Sequence, residues 1–508
     1  MIPSIVAIPA LILLLTFIYM ILFIFLRPNN QTKRPPGPLA LPIIGNFHLL
    51  GTLPHRNLQT LASKYGSIMS LRLGQVPVTV VSSPEAAELF LKTHDPIFAA
   101  RAKTQAVDYL FYGSKSIVFS EYGSYWRDMR KMCAQHLLSA SKVDLFGPMR
   151  REELRIMVKS SLEPAATIGE VVNLSEKVHQ LLEDVVYKMV LGRSKDDQFD
   201  IKGLLSSCLS LTGAFNLADF VPWLETFDLQ GLTRQLKETS RALDQVLEKI
   251  VKEHEQALNV QKDGQGEDFI DILLSLLVTD DERNHEITRD HIKAVALSMI
   301  AGAYETSAVS IEWTLSELLR NPRVMKNLQD ELETVVGMNR MVEESDLSKL
   351  NYLNLVVKES LRLHPVAPFI PRASTEDAIV DGYYIEKNSQ ILVNLWALGR
   401  NPRIWSDDAE VFYPERFLNS NSNNVFQEHD SQLPSFGSGR RKCPGMQMGL
   451  TTVKIVMAQL VHCFNWELPF GMKPADLDMT ESFGLSIPRS KHLSAVPTHR
   501  LSSKVYDE

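Results

Sequence analysis

The chain opens with a long run of apolar positions. Residues 1–26 contain no charged side chain and consist mostly of leucine, isoleucine, phenylalanine and other apolar residues. As a helix that rises about 1.5 Å per residue, this run would be about 39 Å long, which is enough to cross a bilayer with some tilt. A cleaved signal peptide is the alternative, but the run lacks a basic start and no small-residue cleavage site follows it. We therefore predict an uncleaved transmembrane anchor over residues 1–26.

Basic residues and prolines follow the apolar run. Three basic side chains lie between residues 27 and 34, and basic flanks of this kind stay on the cytosolic side of a membrane. The proline-rich stretch that comes next can form neither a helix nor the interior of a regular strand. We predict a basic and proline-rich hinge over residues 27–40. The remaining domain, residues 41–508, is expected to face the cytosol.

Short apolar stretches bounded by turn residues indicate β-strands. Gly74-Gln75 and Asp381-Gly382 are the turn signals, and Pro77 suits only the start of a strand or an edge strand. We predict strands at Ile68–Leu73 and Val76–Val81, and a small sheet that contains strands at Tyr383–Ile385 and Gln390–Asn394. These strands are too few and too short to form more than small sheets.

Helical periodicity accounts for most of the remaining chain. From about Ala140 to Asp280 the apolar positions recur with the period of a helix, and a charged stretch after Asp280 is expected to be a solvated loop. Thr288 then resembles an N-cap, and the helical pattern continues to Asn321, where a proline stops it. A helix of this length, roughly 32 residues, would be about 48 Å long and could traverse a whole domain. The predicted fold is mainly α with small β-sheets.

Composition and charge narrow the possible functions. The chain has 508 residues, 45% of them hydrophobic and 22% charged, which suffices for one large core or two domains. A formal charge of −7 argues against a nucleic-acid partner. The four cysteines are scattered widely and do not indicate a disulfide framework. They are Cys133, Cys208, Cys443 and Cys463.

One of these cysteines lies in a glycine-rich, strongly cationic stretch, residues 435–445. Lysine and arginine beside a thiol favour its thiolate form, and the glycines allow a tight turn close to a flat partner. Pro444 suits the first turn of a helix, so we expect the sulfur of Cys443 to lie at a helix N-terminus, where free N–H groups and the helix dipole also favour negative charge.

Four roles are open to Cys443 on this reasoning. A catalytic nucleophile would need a histidine from elsewhere in the chain. A zinc ligand would need further cysteines or histidines at short spacing. An inert core cysteine is the commonest case in general, although three charges and three glycines make a poor core strand. The fourth role is an axial thiolate ligand of haem iron.

Two other pairs of residues have helical spacing. Trp126 and Arg130 share one face of a predicted helix, as do Glu359 and Arg362. Taken alone, the first pair is more often a packed aromatic with a salt-bridged neighbour than a cofactor site. The second pair is usually a surface ion pair worth a few tenths of a kcal/mol.

The middle of the long predicted helix carries small residues followed by an acid and an alcohol. Residues 301–307 read Ala-Gly-Ala-Tyr-Glu-Thr-Ser. Small residues let a ligand approach closely, and Glu305 beside Thr306 is a plausible proton relay. The ordinary alternative is a threonine that hydrogen-bonds the carbonyl four residues earlier, next to a surface glutamate.

The cysteine stretch resembles the haem-binding loop of the cytochrome P450 family. The residues that carry this resemblance are Phe436, Gly439, Arg441, Cys443 and Gly445. Matching motifs occur in family order along the whole chain: the anchor, the hinge, the WxxxR motif, the central helix, the ExxR motif and the Pro-Glu-Arg-Phe stretch that contains Arg416. The likeness is strongest to plant microsomal members of the A-type group. Ala303 departs from the family pattern, because it stands where a second glycine is usual.

The resemblance implies a fold and a set of residue roles. The expected fold is that of cytochrome P450, with the long helix across the distal haem face, a single transmembrane helix before it, and residues 41–508 as the haem-thiolate catalytic domain. The cofactor is haem b, with Cys443 as the iron ligand and Glu305 and Thr306 as catalytic residues that deliver protons. The cofactor-binding residues are Trp126, Arg130, Arg372, Phe436, Arg441, Cys443 and Gly445, with the indole N–H of Trp126 among the donors to a propionate. Glu359, Arg362 and Arg416 support the loop structurally.

The resemblance also implies an activity and its partners. An O2-dependent monooxygenase of the endoplasmic reticulum membrane is expected, with a single membrane pass and NADPH–cytochrome P450 reductase as electron donor. Its substrate would be a small hydrophobic plant specialised metabolite, such as a phenolic or a terpenoid. The expected pocket segments are residues 98–111, with Arg101 among them, and 301–306, 366–370 and 483–485. A haem-thiolate isomerase or dehydratase that needs no reductase, or a non-catalytic haem protein, is the alternative.

We further hypothesise that a basic surface binds the reductase. Lys131, Arg440, Arg441 and Lys442 are predicted to form a patch on the cysteine side of the haem, suited to an acidic partner.

Overall fold

α-Helices form most of the molecule, as the periodicity predicts. The computed structural model describes residues 12, 14–19, 33–193, 200–258, 268–279, 287–418 and 433–507. The α-helices after the hinge are α1 (Pro54–Tyr65), α2 (Pro84–Glu88), α3 (Gln105–Leu110), α4 (Ser124–His136), α5 (Ala140–Leu145), α6 (Gly147–Met157), α7 (Glu163–Ile168), α8 (Leu174–Leu191), α9 (Ile201–Gly213), α10 (Leu217–Phe220), α11 (Leu232–Leu258), α12 (Phe269–Thr279), α13 (Arg289–Arg320), α14 (Pro322–Val336), α15 (Asn351–Leu363), α16 (Leu395–Gly399), α17 (Pro402–Trp405), α18 (Met446–Cys463) and α19 (Ser503–Asp507).

Short strands and single helical turns complete the architecture. The strands are β1 (Ile68–Leu73), β2 (Val76–Val81), β3 (Val172–Asn173), β4 (Phe369–Ala373), β5 (Ala378–Val380), β6 (Tyr383–Ile385), β7 (Gln390–Asn394), β8 (Phe464–Glu467) and β9 (Ser494–His499). The 3-10 turns are Phe47–Leu49, Gly113–Lys115, Pro222–Phe227, Glu344–Asp346, Pro414–Phe417, Gly439–Arg441, Pro469–Gly471 and Pro474–Asp476, and the π-helical turns are Leu89–Thr93 and Val158–Leu162.

The largest sheet has four strands in the order β1-β2-β7-β4. β1 and β2 are antiparallel with Leu73 opposite Val76, and Gly74 at their turn has φ of 57°. β2 then pairs parallel with β7 from Val78 onward, so Pro77 lies before the part of β2 that is bonded on both sides. The predicted bounds of β1, β2, β6 and β7 are all confirmed.

The turn Asp381-Gly382 joins a pair of strands that differs from the pair predicted for the small sheet. Both residues have positive φ, 49° and 73°, and this turn joins β5 to β6 in a two-stranded hairpin. β7 belongs instead to the four-stranded sheet. The sequence did not indicate β5 as a separate strand, and so β6 and β7 were placed together wrongly.

Helix α13 runs through the core and divides it into two parts. It has the predicted length of 32 residues, and the backbone N–H of Thr288 donates to His291 Nδ1 at its start (2.9 Å). Residues 292–300 and 307–319 are buried in two separate apolar clusters. Between these clusters, residues 301–306 are only partly buried or exposed. The helix therefore has an accessible stretch in its middle, where a core helix is ordinarily covered.

The membrane prediction rests on the sequence. Most of residues 1–26 lie outside the described residues, and those described, 12 and 14–19, are helical. Among all described residues, one helix has the length and apolar composition to span a membrane, and it is α13, of whose most apolar window 67% is buried within the protein. Such burial is typical of a core helix.

The described part of the hinge is bound to the catalytic domain. The Pro36 carbonyl accepts a hydrogen bond from the Ser70 backbone N–H (2.8 Å), and the Lys33 carbonyl accepts one from Tyr384 (2.8 Å). Arg34 forms an ion pair with Glu386 (2.7 Å). A Cβ on Gly37 would lie 1.8 Å from the Ser70 carbonyl oxygen, so only glycine fits there. The described part of the hinge, residues 33–37, therefore lies against the catalytic domain and is hydrogen-bonded to it.

Candidate functional site

The cysteine loop folds back on itself before α18. The Cys443 backbone N–H donates to the Phe436 carbonyl (2.8 Å), while Gly437 and Gly439 adopt positive φ of 72° and 65°. A Cβ on Gly439 would lie 2.4 Å from the Leu91 carbonyl oxygen, so glycine is required there for both conformation and space. Gly445 is the N-cap of α18. Pro444 therefore precedes the cap and does not lie in the first helical turn as predicted.

The sulfur of Cys443 is accessible, whereas the other three cysteines are buried. Desolvation by the surrounding protein nevertheless raises the pKa of Cys443, and it outweighs the lowering influence of the Gly445 N–H, Arg130 and Lys442. The basic neighbours thus favour the thiolate as expected, although the burial of Cys443 outweighs their effect on its pKa. A coordinating metal cation deprotonates a thiol outright, so a metal partner would supply what the neighbouring side chains do not.

The zinc and nucleophile roles of Cys443 find no support in the described structure. The group of three potential metal ligands found among the described residues is His254, Asp268 and Asp271, and it does not include this cysteine. No histidine within the described ranges hydrogen-bonds to Cys443, and a cysteine nucleophile would need one.

Four arginines converge beside the cysteine loop. Arg441 donates from Nε to the Ala99 carbonyl (2.8 Å) and from Nη2 to Ser120 (2.5 Å). Arg372, on β4, donates from Nη2 to the Ser438 carbonyl (2.7 Å). Arg130 donates to the Lys442 carbonyl, and Arg101 donates to the carbonyls of Val118 and Pro371. All of these acceptors are backbone carbonyls, so the four positive charges remain largely uncompensated.

The electrostatics of the four arginines indicate a missing anion. Burial first, then repulsion from neighbouring arginines, lowers the pKa of Arg101, Arg372 and Arg441 to about 9 each. The one carboxylate close by, Asp95, lies 4.0 Å from Arg372 Nη1 and pairs instead with Arg440 at 2.9 Å.

Unpaired N–H groups mark where that anion would bind. Nε and Nη1 of Arg372 and Nη1 of Arg441 are buried and have no hydrogen-bond partner, and a buried unpaired donor is costly. Haem carries two propionates next to its iron-binding macrocycle, and arginine suits carboxylates particularly well. The cationic cluster beside an accessible sulfur therefore fits haem.

Trp126 contributes differently from the prediction. Its indole N–H donates to the Ile117 carbonyl (2.9 Å) and so is not free for a propionate. Its ring lies instead against two guanidinium groups, 4.3 Å from Arg441 and 5.3 Å from Arg130. The WxxxR pair thus places the arginines through cation–π contacts, with Trp126 as their support.

Arg101 was assigned to the substrate segment, and the structure places it in the arginine cluster. The sequence contains a weak indication that Arg101 binds an anion, because this residue stands between two alanines in a mostly apolar stretch. Such a cation needs a buried partner. Sequence spacing alone could not identify that partner, since it depends on a contact with β4.

Glu359, Arg362 and Arg416 form a separate network that is fully buried at its centre. Glu359 and Arg362 are each 0% exposed and form a two-bond pair at 2.7 and 2.8 Å. Arg416 donates to the same carboxylate at 3.0 Å, as does the Tyr413 backbone N–H at 2.8 Å. In the described part of the chain, no buried side-chain nitrogen or oxygen of these three residues lacks a hydrogen-bond partner.

The accessible stretch of α13 contains the predicted acid and alcohol. Thr306 Oγ1 donates to the Gly302 carbonyl (2.6 Å), which is the ordinary back-bond of a helical threonine. Glu305 accepts a hydrogen bond from Ser486, a residue that sequence reasoning missed. A Cβ built on Gly302 would have no atom within 4 Å, so open space lies beside the helix. Ala303 packs against an apolar cluster of the core.

The predicted reductase patch needs one correction. Arg441 is buried and directed inward, so it cannot belong to a docking surface. Lys131 is exposed, and Arg440 is 45% exposed while paired with Asp95. The part of the predicted patch that lies on the surface is therefore Lys131 and Arg440, with Lys442 partly buried.

Comparison with known proteins identifies the family. The family model described as Cytochrome P450 matches residues 35–494. Cytochrome P450 CYP736A12 of Panax ginseng is 54% identical over 93% of this chain and 95% of its own length. Cytochrome P450 750A1 of Pinus taeda is 41% identical over 96% of both chains, and melianol synthase CYP71BQ4 of Citrus sinensis is 38% identical over 97% of this chain and 96% of its own.

The matched region contains both the cysteine loop and α13. The match covers residues 35–494, which is most of the chain, and it therefore identifies both the fold and the cofactor. The chain belongs to the cytochrome P450 family: it is an oxidoreductase of the monooxygenase type that binds haem b.

Proposed function

We propose that the protein is a membrane-anchored monooxygenase that oxidises a small hydrophobic plant specialised metabolite with electrons from NADPH–cytochrome P450 reductase. In the balanced reaction, substrate, O2, NADPH and a proton give the oxygenated product, water and NADP⁺. Bound haem supplies the activation of O2 and the transfer of one oxygen atom. The protein supplies the iron ligand, the orientation of the cofactor and the protons.

The accessible middle of α13 is the observation that carries this proposal. A helix that is buried before residue 301 and after residue 306 exposes Gly302 and Thr306. Helix α13 packs against α18, which begins three residues after Cys443. A cavity wall with a small residue, an acid and an alcohol is suited to oxygen chemistry. An isomerase or a haem carrier has no need of the alcohol.

Each residue of the site has a proposed role. Cys443 binds the iron through Sγ, and Phe436 and Gly445 shape the loop around that sulfur. Arg101, Arg130, Arg372 and Arg441 bind the propionates, and Trp126 positions two of these arginines. Glu305 takes protons from the solvent side, and Thr306 passes them on through Oγ1.

Aromatic side chains support an apolar substrate. Phe483 stacks on Phe215 with ring centroids 5.8 Å apart and an angle of 6°, and it meets Phe369 edge to face at 6.4 Å. Phe369 lies on the same strand as Arg372, three residues before it. Two predicted pocket segments, 366–370 and 483–485, therefore contact one another. Phenolic and terpenoid compounds both suit such a lining.

Exposed apolar side chains support location at the endoplasmic reticulum membrane, with a single-pass anchor and the catalytic domain in the cytosol. Among the exposed large apolar residues are Leu39, Leu41, Ile43 and Ile44 in one chain segment and Trp223, Phe227 and Leu229 in another. Leu41, Ile43 and Trp223 line one cavity of about 380 Å³ together with Leu15 and Tyr19 of the N-terminal helix. A contiguous apolar patch of this kind commonly marks a membrane contact.

Reconstitution with a plant NADPH–cytochrome P450 reductase in microsomes tests the proposal. Phenolics and terpenoids would first be screened for haem spectral shifts on binding, and those that bind would be incubated with NADPH and ¹⁸O2. We expect one ¹⁸O atom in the product and NADPH use that depends on the substrate. Peroxide turnover without reductase, or haem binding without either reaction, would overturn the proposal.

Two variants assign the residues in the same assay. Cys443→Ser is expected to abolish the absorption band of the thiolate–CO complex, and its persistence would refute the ligand assignment. Thr306→Ala is expected to keep that band while NADPH use becomes uncoupled from product. Full coupling in Thr306→Ala would exclude Thr306 from proton delivery.

A further inference from the structure

Ser486 lies where it can control the orientation of Glu305. Its side chain is buried, with 5% exposed, and its hydroxyl donates to Glu305 Oε1. Within the described part of the chain, Ser486 is the one hydrogen-bond donor to this carboxylate. Glu305 itself is only partly buried, so its flexible side chain has room to adopt other rotamers when this hydrogen bond is absent.

The backbone beside Ser486 is fixed by two hydrogen bonds. The Ile487 N–H donates to the Val366 carbonyl (2.9 Å), and the Ile487 carbonyl accepts from Trp313 Nε1 (2.8 Å). Trp313 lies on α13, eight residues after Glu305 and therefore about two turns further along the helix. The helix that carries the acid thus also holds the loop that carries its partner.

The loop also packs closely against the end of α9 and against the Trp313 indole. A Cβ on Gly213, at the end of α9, would lie 2.5 Å from the Leu485 backbone nitrogen. The Trp313 ring stacks on His364 with centroids 4.1 Å apart, which limits rotation of the indole that binds Ile487. The backbone that carries Ser486 is therefore held in place on both sides, which keeps its hydroxyl within reach of Glu305.

We propose that Ser486 is a positioning residue for proton delivery: it holds Oε1 of Glu305 and leaves Oε2 to exchange protons with the haem pocket. This inference rests on the proposed role of Glu305 as the acid of the relay. A misplacement of a reacting group by about 1 Å can cost as much as 100-fold in rate. Loss of the hydroxyl should therefore impair the relay even though Ser486 touches neither haem nor O2.

Infrared spectroscopy of the full-length holoprotein tests the contact itself. The carboxylate band of Glu305 is the band that Glu305→Gln removes. We expect Ser486→Ala to shift this band and Ser486→Thr, which keeps the hydroxyl, to leave it in place. A band that stays unmoved in Ser486→Ala would overturn the proposal.

Oxygen use tests the consequence and needs no known substrate. With NADPH and reductase, the ratio of H2O2 released to water formed from the consumed O2 is expected to rise about threefold in Ser486→Ala and to return to the wild-type value in Ser486→Thr. Ser310→Ala is the matched control, because Ser310 is a buried serine of α13 whose hydroxyl has no hydrogen-bond partner. Equal effects of Ser310→Ala and Ser486→Ala would indicate a structural disturbance and refute positioning.

A double variant separates this inference from the proposed function. If Ser486 acts through Glu305, then Ser486→Ala adds nothing in a Glu305→Gln background. If Glu305→Gln leaves peroxide release unchanged, the relay of the proposed function is wrong, and this inference fails with it. If Glu305→Gln raises peroxide release while Ser486→Ala does not, the inference alone is wrong.

Discussion

Two groups of buried arginines lie in this molecule, and they differ in how completely their N–H groups are paired. Arg362 belongs to the ExxR network, and Arg372 belongs to the cluster beside the cysteine loop. Both are almost completely buried, at 0% and 1% exposed. Burial therefore does not distinguish them, although one supports the fold and the other is proposed to hold a cofactor.

Hydrogen bonding does distinguish the two arginines. Arg362 donates five hydrogen bonds, to both oxygens of Glu359 and to the carbonyls of Gly399, Ala409 and Val411, which uses all the donors that a guanidinium has. Arg372 donates one, to Ser438, and its Nε and Nη1 are buried without a partner. A complete set of partners indicates a structural role, and an incomplete one indicates a ligand.

The first and largest expected effect would come from breaking the complete network. Glu359→Gln removes the charge shared by Arg362 and Arg416, and it leaves the buried Arg362 without a carboxylate, whereas Arg416 keeps Asp408 (3.4 Å). We expect the free energy of unfolding of the apoprotein to fall by about 3–5 kcal/mol, measured by urea denaturation of the detergent-solubilised chain. Glu410→Gln is the control, because Glu410 is 71% exposed while it pairs with Arg400. Equal losses in the two variants would show that burial of the network does not matter.

The second expected effect concerns the incomplete cluster. Arg372→Met replaces the cation by an apolar side chain of similar length, and it relieves the repulsion among the four arginines. We expect the stability of the apoprotein to be unchanged or higher. A hydrogen bond to a charged group is worth about 1.5–3 kcal/mol, so haem affinity should fall about 10- to 150-fold.

A haem titration followed by Soret absorbance measures this change, with urea denaturation of the apoprotein alongside. Arg362→Met is the matched variant and should show the opposite pattern, with a large loss of stability. If Arg372→Met destabilises the apoprotein as strongly as Glu359→Gln, then Arg372 is a structural residue and the comparison fails.

A third, smaller effect is expected from anions. Because Asp95, 4.0 Å from Arg372, cannot balance the positive charge of the four arginines, pyrophosphate should bind the apoprotein there. At ten times its Kd, a ligand stabilises the folded state by about 1.4 kcal/mol. We expect this gain in the apoprotein, measured by thermal unfolding at constant ionic strength, and its absence in the haem-loaded protein. An equal gain in Arg372→Met would place the anion elsewhere.

The sequence was sufficient for features that depend on local order. The strands around Gly74, the 32-residue helix after Thr288 and the loop before α18 all follow from periodicity, turn residues and caps. Local rules predict these because the residues involved are neighbours in the chain. The same rules placed Glu359 and Arg362 on one helical face, although they could not show how deeply that face is buried.

The remaining features depend on contacts between distant parts of the chain. The indole N–H of Trp126 donates to the Ile117 carbonyl because the loop before α4 folds over the start of that helix. Glu305 meets Ser486 across 181 positions. The pKa of Cys443 is raised because surrounding protein desolvates it, against the effect of its basic neighbours. In each case the residue type was recognised, and its partner was fixed only by tertiary packing.

The smallest effect is expected for an arginine that is exposed and has an ion-pair partner. Arg323 is 56% exposed and pairs with Glu415, the residue next to Arg416 in the chain. An exposed ion pair contributes about 0–1 kcal/mol, so Arg323→Ala should lower the free energy of unfolding by no more than about 1 kcal/mol and leave haem affinity unchanged. The urea and Soret titrations used for Arg372→Met measure both quantities. A loss near that of Glu359→Gln would mean that pairing alone, without burial, makes an arginine structural in this protein.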